Sequence, residues 1–180
     1  MYRTHNNGEL RVSNVGQEVT LVGWVSKKRN LGSLVFIDLR DRYGYTQVLL
    51  EESKFPICSD IRNEYIIQVK GIVFKKDVPN TKLETGEIEV VANDVKIVNS
   101  AELPPFIIAD VTDALEDTRL KYRYLDLRRP AMQKMLMNRA KIVRACHNYL
   151  DSNDFVEVET PVLCLSTPEG ARDYIVPSRI

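Results

Sequence analysis

One pair of predicted strands brings together an aromatic ring, an amide and several charged groups. In the stretch LVFIDLR alternate side chains point to opposite sides of a strand, so Phe36 and Asp38 face away from the apolar set. If the turn DRYG joins this strand to the next one, Gln47 lies opposite Asp38 on the same face. A flat ring beside an amide can stack on one unpaired base and form hydrogen bonds with its edge. Such stacking contributes about 1–3 kcal/mol per base.

The same residues also have a plainer interpretation. A phenylalanine on a strand more often fills an interior than stacks on a base, and a register error of one residue would exchange the two faces. The run KKRN at 27–30 suits phosphate groups, although alone it is typical of a solvated strand end. Asn80 is compatible with ordinary turn chemistry and Glu89 with a polar outer face. From the residues alone, a nucleic-acid surface and an ordinary barrel surface both remain open.

The first hundred residues predict the barrel that would position these groups. Runs of β-branched and apolar residues predict five strands, at 19–25, 34–39, 45–50, 65–74 and 87–98. The segment between the third and fourth of these runs predicts a short helix. This order is that of the OB-fold, a five-stranded barrel that binds oligonucleotides. We therefore expect a mainly β fold with an α+β remainder.

After Pro104 and Pro105 the spacing of the apolar residues changes from every second residue, typical of strands, to about every 3.6 residues, typical of a helix. Apolar residues from Met132 to Leu150 fall on one face of a helix that should end near Asn153, and FVEVE at 155–159 predicts a strand. The roughly 70 residues beyond the prolines are too few for a well-filled core of their own. Further chain or a partner subunit is therefore expected to cover the apolar face.

The composition of the chain limits the classes of protein and of site that it can represent. Lys plus Arg equals Asp plus Glu at 25 each, so any contact with nucleic acid must come from a local patch. The cysteines at 58, 146 and 164 have no metal-binding spacing, which argues against a zinc site and a disulfide framework. The polar start does not resemble a signal peptide, and no apolar run reaches the roughly 20 residues of a membrane helix. We expect a cytoplasmic protein without a membrane segment or a metal site.

Three longer strings carry a family resemblance. They are RLKYRYLDLRRP at 119–130, FVEVETP at 155–161 and TPEGARDYIVPSR at 167–179. Together with GWVSKKRNLGSLVFIDLRDRYG in the barrel, they resemble the bacterial-type aspartyl-tRNA synthetases, which are class II aminoacyl-tRNA synthetases. The resemblance covers essentially the whole chain in collinear order. It implies an OB-fold anticodon-binding domain at 1–103, a linker at 104–128, and the first helix and strand of an incomplete class II catalytic domain at 129–180.

The resemblance also implies roles for individual barrel residues. Phe36 matches the aromatic residue that stacks on an anticodon base, and Arg29 and Gln47 match residues that recognise base edges. Glu89 matches a glutamate that helps to recognise the first anticodon base, and Asn80 matches a loop asparagine near the third.

In the second half, Glu169 and Gly170 match a mobile loop that closes over aspartate and its adenylate. Pro161 matches the first class II motif, which builds the dimer interface. The implied full-length enzyme is a homodimer that uses ATP and Mg²⁺ to attach aspartate to aspartate tRNA through an aspartyl-adenylate. The chain alone is expected to hold no cofactor and to make no adenylate.

Two positions depart from the family pattern. Asp154 stands where the family usually has glycine, and aspartate tolerates a positive φ less well than glycine does. Leu31 stands where synthetases that also charge asparagine tRNA often carry histidine, which favours an aspartate-only enzyme. The alternative function is a stand-alone OB-fold module that binds RNA and dimerises without catalysis. The TPEGARD string is the feature against that alternative.

Overall fold

The computed structural model describes residues 2–163, 165, 174, 176 and 177. By its internal contacts the chain divides into two units, Met1–Pro105 and Phe106–Ile180. None of the helices in the described part is long and apolar enough to cross a membrane. The described residues also contain no group of three or more His, Cys, Asp or Glu side chains that could hold a metal ion.

The first unit is a closed five-stranded barrel. Its strands are β1 (Glu18–Leu31), β2 (Leu34–Arg40), β3 (Tyr45–Glu51), β4 (Ile66–Lys75) and β5 (Ile88–Asn99). They close in the order β1-β2-β3-β5-β4, with β3 and β5 parallel and the other neighbours antiparallel. A short 3-10 helix at Pro56–Ser59 lies between β3 and β4. The predicted OB-fold and its five strands are confirmed.

The alternation predicted for β2 is confirmed. Val35, Ile37 and Leu39 are completely buried, whereas Phe36 and Asp38 are only half-buried. Phe36 therefore lies on the outer face of the barrel, because successive side chains on a strand point to opposite sides. The β2–β3 register pairs Asp38 with Gln47, as the turn predicted.

A β-bulge in β1 decides which basic residues reach the outer face. Up to Val25, the odd-numbered residues of β1 point into the barrel. The register shifts between Val25 and Lys27, so that beyond the bulge Lys28 pairs with the inward-facing Ile37 and Arg29 pairs with Phe36. Without the extra residue Arg29 would point inwards. The bulge therefore places Arg29 on the outer face of the barrel, paired with Phe36.

The second unit contains three helices in its described part. They are α1 (Glu116–Lys121), α2 (Arg123–Asp126) and α3 (Pro130–Asp151). The prediction of a helix that ends near residue 153 is confirmed. Its apolar face is uncovered by the described residues, since Met135, Ile142 and Tyr149 are 64%, 65% and 69% exposed.

The strand predicted at 155–159 is wrong for this structure, which assigns no regular secondary structure to those described residues. A strand needs a hydrogen-bonded neighbour. The described part of the second unit contains no other strand that could supply one.

A buried carboxylate organises the segment before α3. The Asp126 side chain is completely buried and accepts hydrogen bonds from Arg119 Nε at 3.0 Å, Arg123 Nη1 at 3.0 Å and Arg129 Nη1 at 2.9 Å. The guanidinium of Arg129 also donates to the carbonyl oxygen of Ala109 at 2.8 Å. These contacts tie the chain before α1 to the first residue before α3. Arg129 and Asp126 are therefore parts of the fold of this unit.

The backbone at Asp154 has φ 63°, in the left-handed region where glycine is favoured. Asp154→Gly is therefore expected to raise the free energy of unfolding of the helical unit by about 0.5–1 kcal/mol. Urea titration followed by far-ultraviolet circular dichroism measures this change. Asp151→Gly is the matched control, because Asp151 is the last residue of α3 and glycine destabilises helices. Equal effects of the two substitutions would contradict the expectation.

Candidate nucleic-acid interface

Polar and charged side chains from four strands meet on the outer face of the barrel. In register, Lys27 of β1 lies beside Asp38 of β2, which lies beside Gln47 of β3. Gln47 in turn is hydrogen-bonded to Glu89 of β5. We call the following set the outer-face patch: Arg29, Phe36, Asp38, Gln47, Lys76 and Glu89.

Phe36 is flanked on the two adjoining strands by one basic and one apolar residue. Its Cα partners on the adjoining strands are Arg29 and Leu49. Arg29 Nη2 donates to Asp38 Oδ1 at 2.7 Å, and the Arg29 side chain remains 43% exposed. This single bond uses only part of the guanidinium's five donors. A half-buried ring and an exposed guanidinium on the same outer face have the chemistry to stack on a base and to donate to its edge.

Gln47 is held at both ends of its side-chain amide. Its Nε2 donates to Glu89 Oε2 at 3.1 Å, and its Oε1 accepts from Lys76 Nζ at 3.1 Å. Burial lowers the pKa of the Lys76 ammonium, an effect that the nearby carboxylates of Glu89 and Asp38 oppose. The amide is therefore fixed between a cation and an anion.

Sequence reasoning did not select Lys76 or Phe74 as members of this surface. Both follow the alternation of β4, in which Gly71 and Val73 point into the barrel. That alternation places Phe74 on the outer face, where it pairs with Glu89 and is 47% exposed. The same alternation, continued two residues beyond Phe74, would also have placed Lys76 on the outer face.

Asn80 lies on the loop between β4 and β5, and its side chain serves the loop itself. Its Oδ1 accepts a hydrogen bond from the backbone N–H of Lys82 at 3.1 Å, and its own N–H donates to the Gly86 carbonyl at 2.9 Å. The loop is tight at this point, because a Cβ on Gly86 would lie 1.8 Å from the Asn80 carbonyl oxygen. These contacts are the turn chemistry that was one of the two interpretations of Asn80.

Lys28 does not face the solvent in the way that a phosphate-binding run requires. Its ammonium donates to the carbonyl oxygens of Cys58 and Ile61, which follow β3 in the same unit. The expectation that the whole run at 27–30 suits phosphates is therefore wrong for this residue. The bulge in β1 is the cause, since it turns Lys28 towards the inner face.

The remaining predicted residues belong to the second unit. Pro161 is exposed and has no regular secondary structure. Glu169 and Gly170 lie outside the described residues. The structure therefore brings Arg29, Phe36 and Gln47 together with Glu89, and gives Asn80 a local role in its loop.

The outer-face patch has equal numbers of positive and negative side chains, and the exposed Lys27 beside Asp38 adds one positive charge to the same face. Its two cations, Arg29 and Lys76, face its two anions, Asp38 and Glu89. Such a surface attracts a polyanion less than a basic groove does, and it presents donors and acceptors in fixed positions. Fixed donors and acceptors beside an aromatic ring suit the recognition of base edges more than general attraction to phosphates.

Two families match this chain, one in each unit. Residues 19–98 match the family described as OB-fold nucleic acid binding domain, and residues 115–180 match the family described as tRNA synthetases class II (D, K and N). The second match favours a synthetase over a stand-alone RNA-binding module, because such a module would not need the class II segment.

Individual proteins that match the chain are also aminoacyl-tRNA synthetases. The chain is 51% identical over 180 residues to the aspartate–tRNA ligase of Mycoplasma mycoides subsp. mycoides, a match that covers 100% of the chain and 31% of that protein. It is 50% identical to the aspartate–tRNA ligase of Lactobacillus johnsonii, over 99% of the chain and 30% of that protein. Among solved structures, the aspartyl-tRNA synthetase from Entamoeba histolytica superimposes with a TM-score of 0.78 at 24% identity, covering 86% of the chain and 38% of that structure. The last likeness shows the fold alone.

Proposed function

This chain belongs to the aspartate–tRNA ligases, a family of class II aminoacyl-tRNA synthetases, and on that premise we propose that its barrel binds the anticodon loop of aspartate tRNA. The observation that carries the proposal is the outer-face patch, in which Phe36 shares the outer face of the barrel with hydrogen-bonding groups that are themselves held by neighbouring side chains. Unpaired bases are recognised by stacking on aromatic rings and by hydrogen bonds to their edges. The patch supplies both.

The activity proposed for the whole protein is the attachment of aspartate to aspartate tRNA. The chain spans about 31% of the length of the curated relatives it matches. We propose that the whole enzyme forms an aspartyl-adenylate from aspartate and ATP with Mg²⁺, in the cytoplasm, and that it is a homodimer. Pro161 would lie at the dimer interface, and Glu169 and Gly170 would close over the bound amino acid. Holding the reactants in position is the main task of the protein in such a transfer.

The proposal is tested with RNA hairpins and the chain of 180 residues. We expect a hairpin that carries the aspartate anticodon to bind more tightly than one in which the central uracil is replaced by cytosine, by at least about fivefold. Fluorescence titration of labelled hairpins at one fixed ionic strength measures the two dissociation constants. The ionic strength must be stated, because phosphate contacts make every such affinity depend on salt.

A scrambled hairpin of the same length and charge is the control. Equal affinity for all three hairpins would mean that the barrel attracts RNA only through its charge, and it would contradict anticodon recognition. A salt dependence without base preference would support the same conclusion.

A further inference from the structure

The two hydrogen bonds of Gln47 determine which way its amide points. A lysine ammonium can only donate, so Lys76 must contact the amide oxygen. A glutamate carboxylate can only accept, so Glu89 must contact the amide nitrogen. The nitrogen and oxygen of a glutamine are otherwise easily exchanged by a half-turn of the amide. Here the chemistry of the two partners allows one orientation.

A glutamine amide of fixed orientation can distinguish two classes of base when stacking holds the base itself in one position. It keeps one further N–H to donate and one further lone pair to accept. Uracil and guanine present a carbonyl acceptor next to an N–H donor, which matches that pair. Cytosine and adenine present an amino donor next to a ring-nitrogen acceptor, which is the reverse pattern. A half-turn of the amide would make it match the second class instead.

We propose that Lys76 is a positioning residue that holds Gln47 in the orientation selective for a keto base, and this inference rests on the proposed function. Lys76 directly follows β4 and continues the alternation that points every second side chain outwards. Its backbone N–H donates to the Glu87 carbonyl at 2.9 Å. This bond anchors the residue at the start of the β4–β5 loop, from where its side chain reaches Gln47. The half-buried stem limits the positions that the ammonium can take.

Loss of Lys76 should release one end of the amide only. The remaining bond to Glu89 fixes the position of the Gln47 nitrogen, while the oxygen loses the cation that held it. The amide can then swing about the Glu89 bond, so its oxygen and its remaining N–H no longer hold fixed positions opposite the base edge. Base preference should therefore fall more than affinity for the preferred hairpin does.

The test compares Lys76→Met with Lys75→Met in the chain of 180 residues. Lys75 is the adjacent, exposed residue at the end of β4, so both substitutions remove one positive charge from the same segment. The measured quantity is the ratio of the dissociation constants for the uracil and cytosine hairpins. We expect Lys76→Met to reduce this ratio by about fivefold or more, and Lys75→Met to weaken both hairpins alike.

Two further variants show whether Lys76 acts through Gln47. Lys76→Arg retains a donor and should restore most of the base preference. In a Gln47→Ala background, Lys76→Met should leave the ratio unchanged, since the amide that it positions is absent.

An unchanged ratio in Lys76→Met, with equal loss of affinity for both hairpins, would overturn the inference and make Lys76 a phosphate contact. If Lys76→Met lowered the ratio as much in the Gln47→Ala background as in the wild type, the inference would be overturned as well. A wild-type chain without preference between the hairpins would overturn the proposed function itself, and so the two failures are distinguishable.

Discussion

Asp126→Asn is expected to lower the free energy of unfolding of the helical unit by about 3–5 kcal/mol, the usual cost of removing one partner from a buried ion pair. The Asp126 carboxylate is completely buried, and the Arg129 side chain beside it is only 9% exposed. An asparagine would leave the Arg129 charge buried without a counter-charge. It could also accept fewer of the hydrogen bonds that converge on this position. Urea titration followed by far-ultraviolet circular dichroism measures the effect, because the α-helices lie in this unit.

Asp113→Asn is the matched control for this substitution. Asp113 is an exposed residue of the same unit, and exposed substitutions usually change stability by less than about 0.5 kcal/mol. Trp24 is the single tryptophan of the chain and lies in β1, so its emission reports on the barrel and should be unchanged. Similar losses for the two variants would mean that the buried charge cluster does not stabilise the unit.

The ion pairs of Asp126 also predict that the helical unit loses stability in acid. Hydrogen bonds from Arg129 and Arg119 keep the pKa of the Asp126 carboxyl below its ordinary value. A carboxyl whose pKa is depressed by folding contributes stability above its unfolded pKa, and this stability is lost as the pH falls through the lower, folded pKa. The helical signal of the wild type should therefore decline below about pH 4, whereas Asp126→Asn should lack this component.

The outer face of β2 could be predicted because a strand has a strict period of two. The apolar residues Val35 and Ile37 identify the inner face, and Phe36 must then point outwards. The short turn after β2 also fixed the partner of Asp38 across the β2–β3 pair, because loop length sets the register of a hairpin. Local rules of this kind need no knowledge of the rest of the chain.

The contacts that could not be predicted from the sequence depend on a strand irregularity or on residues that are far apart in the chain. The bulge in β1 shifts Lys28 and Arg29 by one residue against the alternation, and no residue type in that run signals it. The position of Lys76 beside Gln47 depends on the closure of the barrel, which brings the end of β4 near β3 through β5. The Asp126 cluster joins residues of a segment that was expected to be a linker. Such arrangements follow from tertiary packing, and periodicity carries little information about them.

Phe36→Ala is expected to weaken binding of the aspartate anticodon hairpin by about 1–3 kcal/mol, the value of stacking one base on an aromatic ring. The ring is half-buried on the outer face, and its strand neighbours are Arg29 and Leu49. Its removal takes away the flat surface and leaves the buried residues on either side in place. The barrel should therefore stay folded, and the emission of Trp24 in urea provides the check. Titration of the labelled hairpin at fixed ionic strength measures the loss.

The shape of the side chain separates stacking from simple apolar contact. Phe36→Tyr keeps the ring and should retain nearly all of the affinity, whereas Phe36→Leu keeps apolar area without a flat face and should lose most of it. Tyr43→Ala removes another exposed aromatic residue of the barrel, on the turn between β2 and β3, and should have little effect. If Phe36→Leu bound as well as the wild type, the ring would not be a stacking platform. Base recognition would then depend on the hydrogen bonds of Arg29 and Gln47 alone.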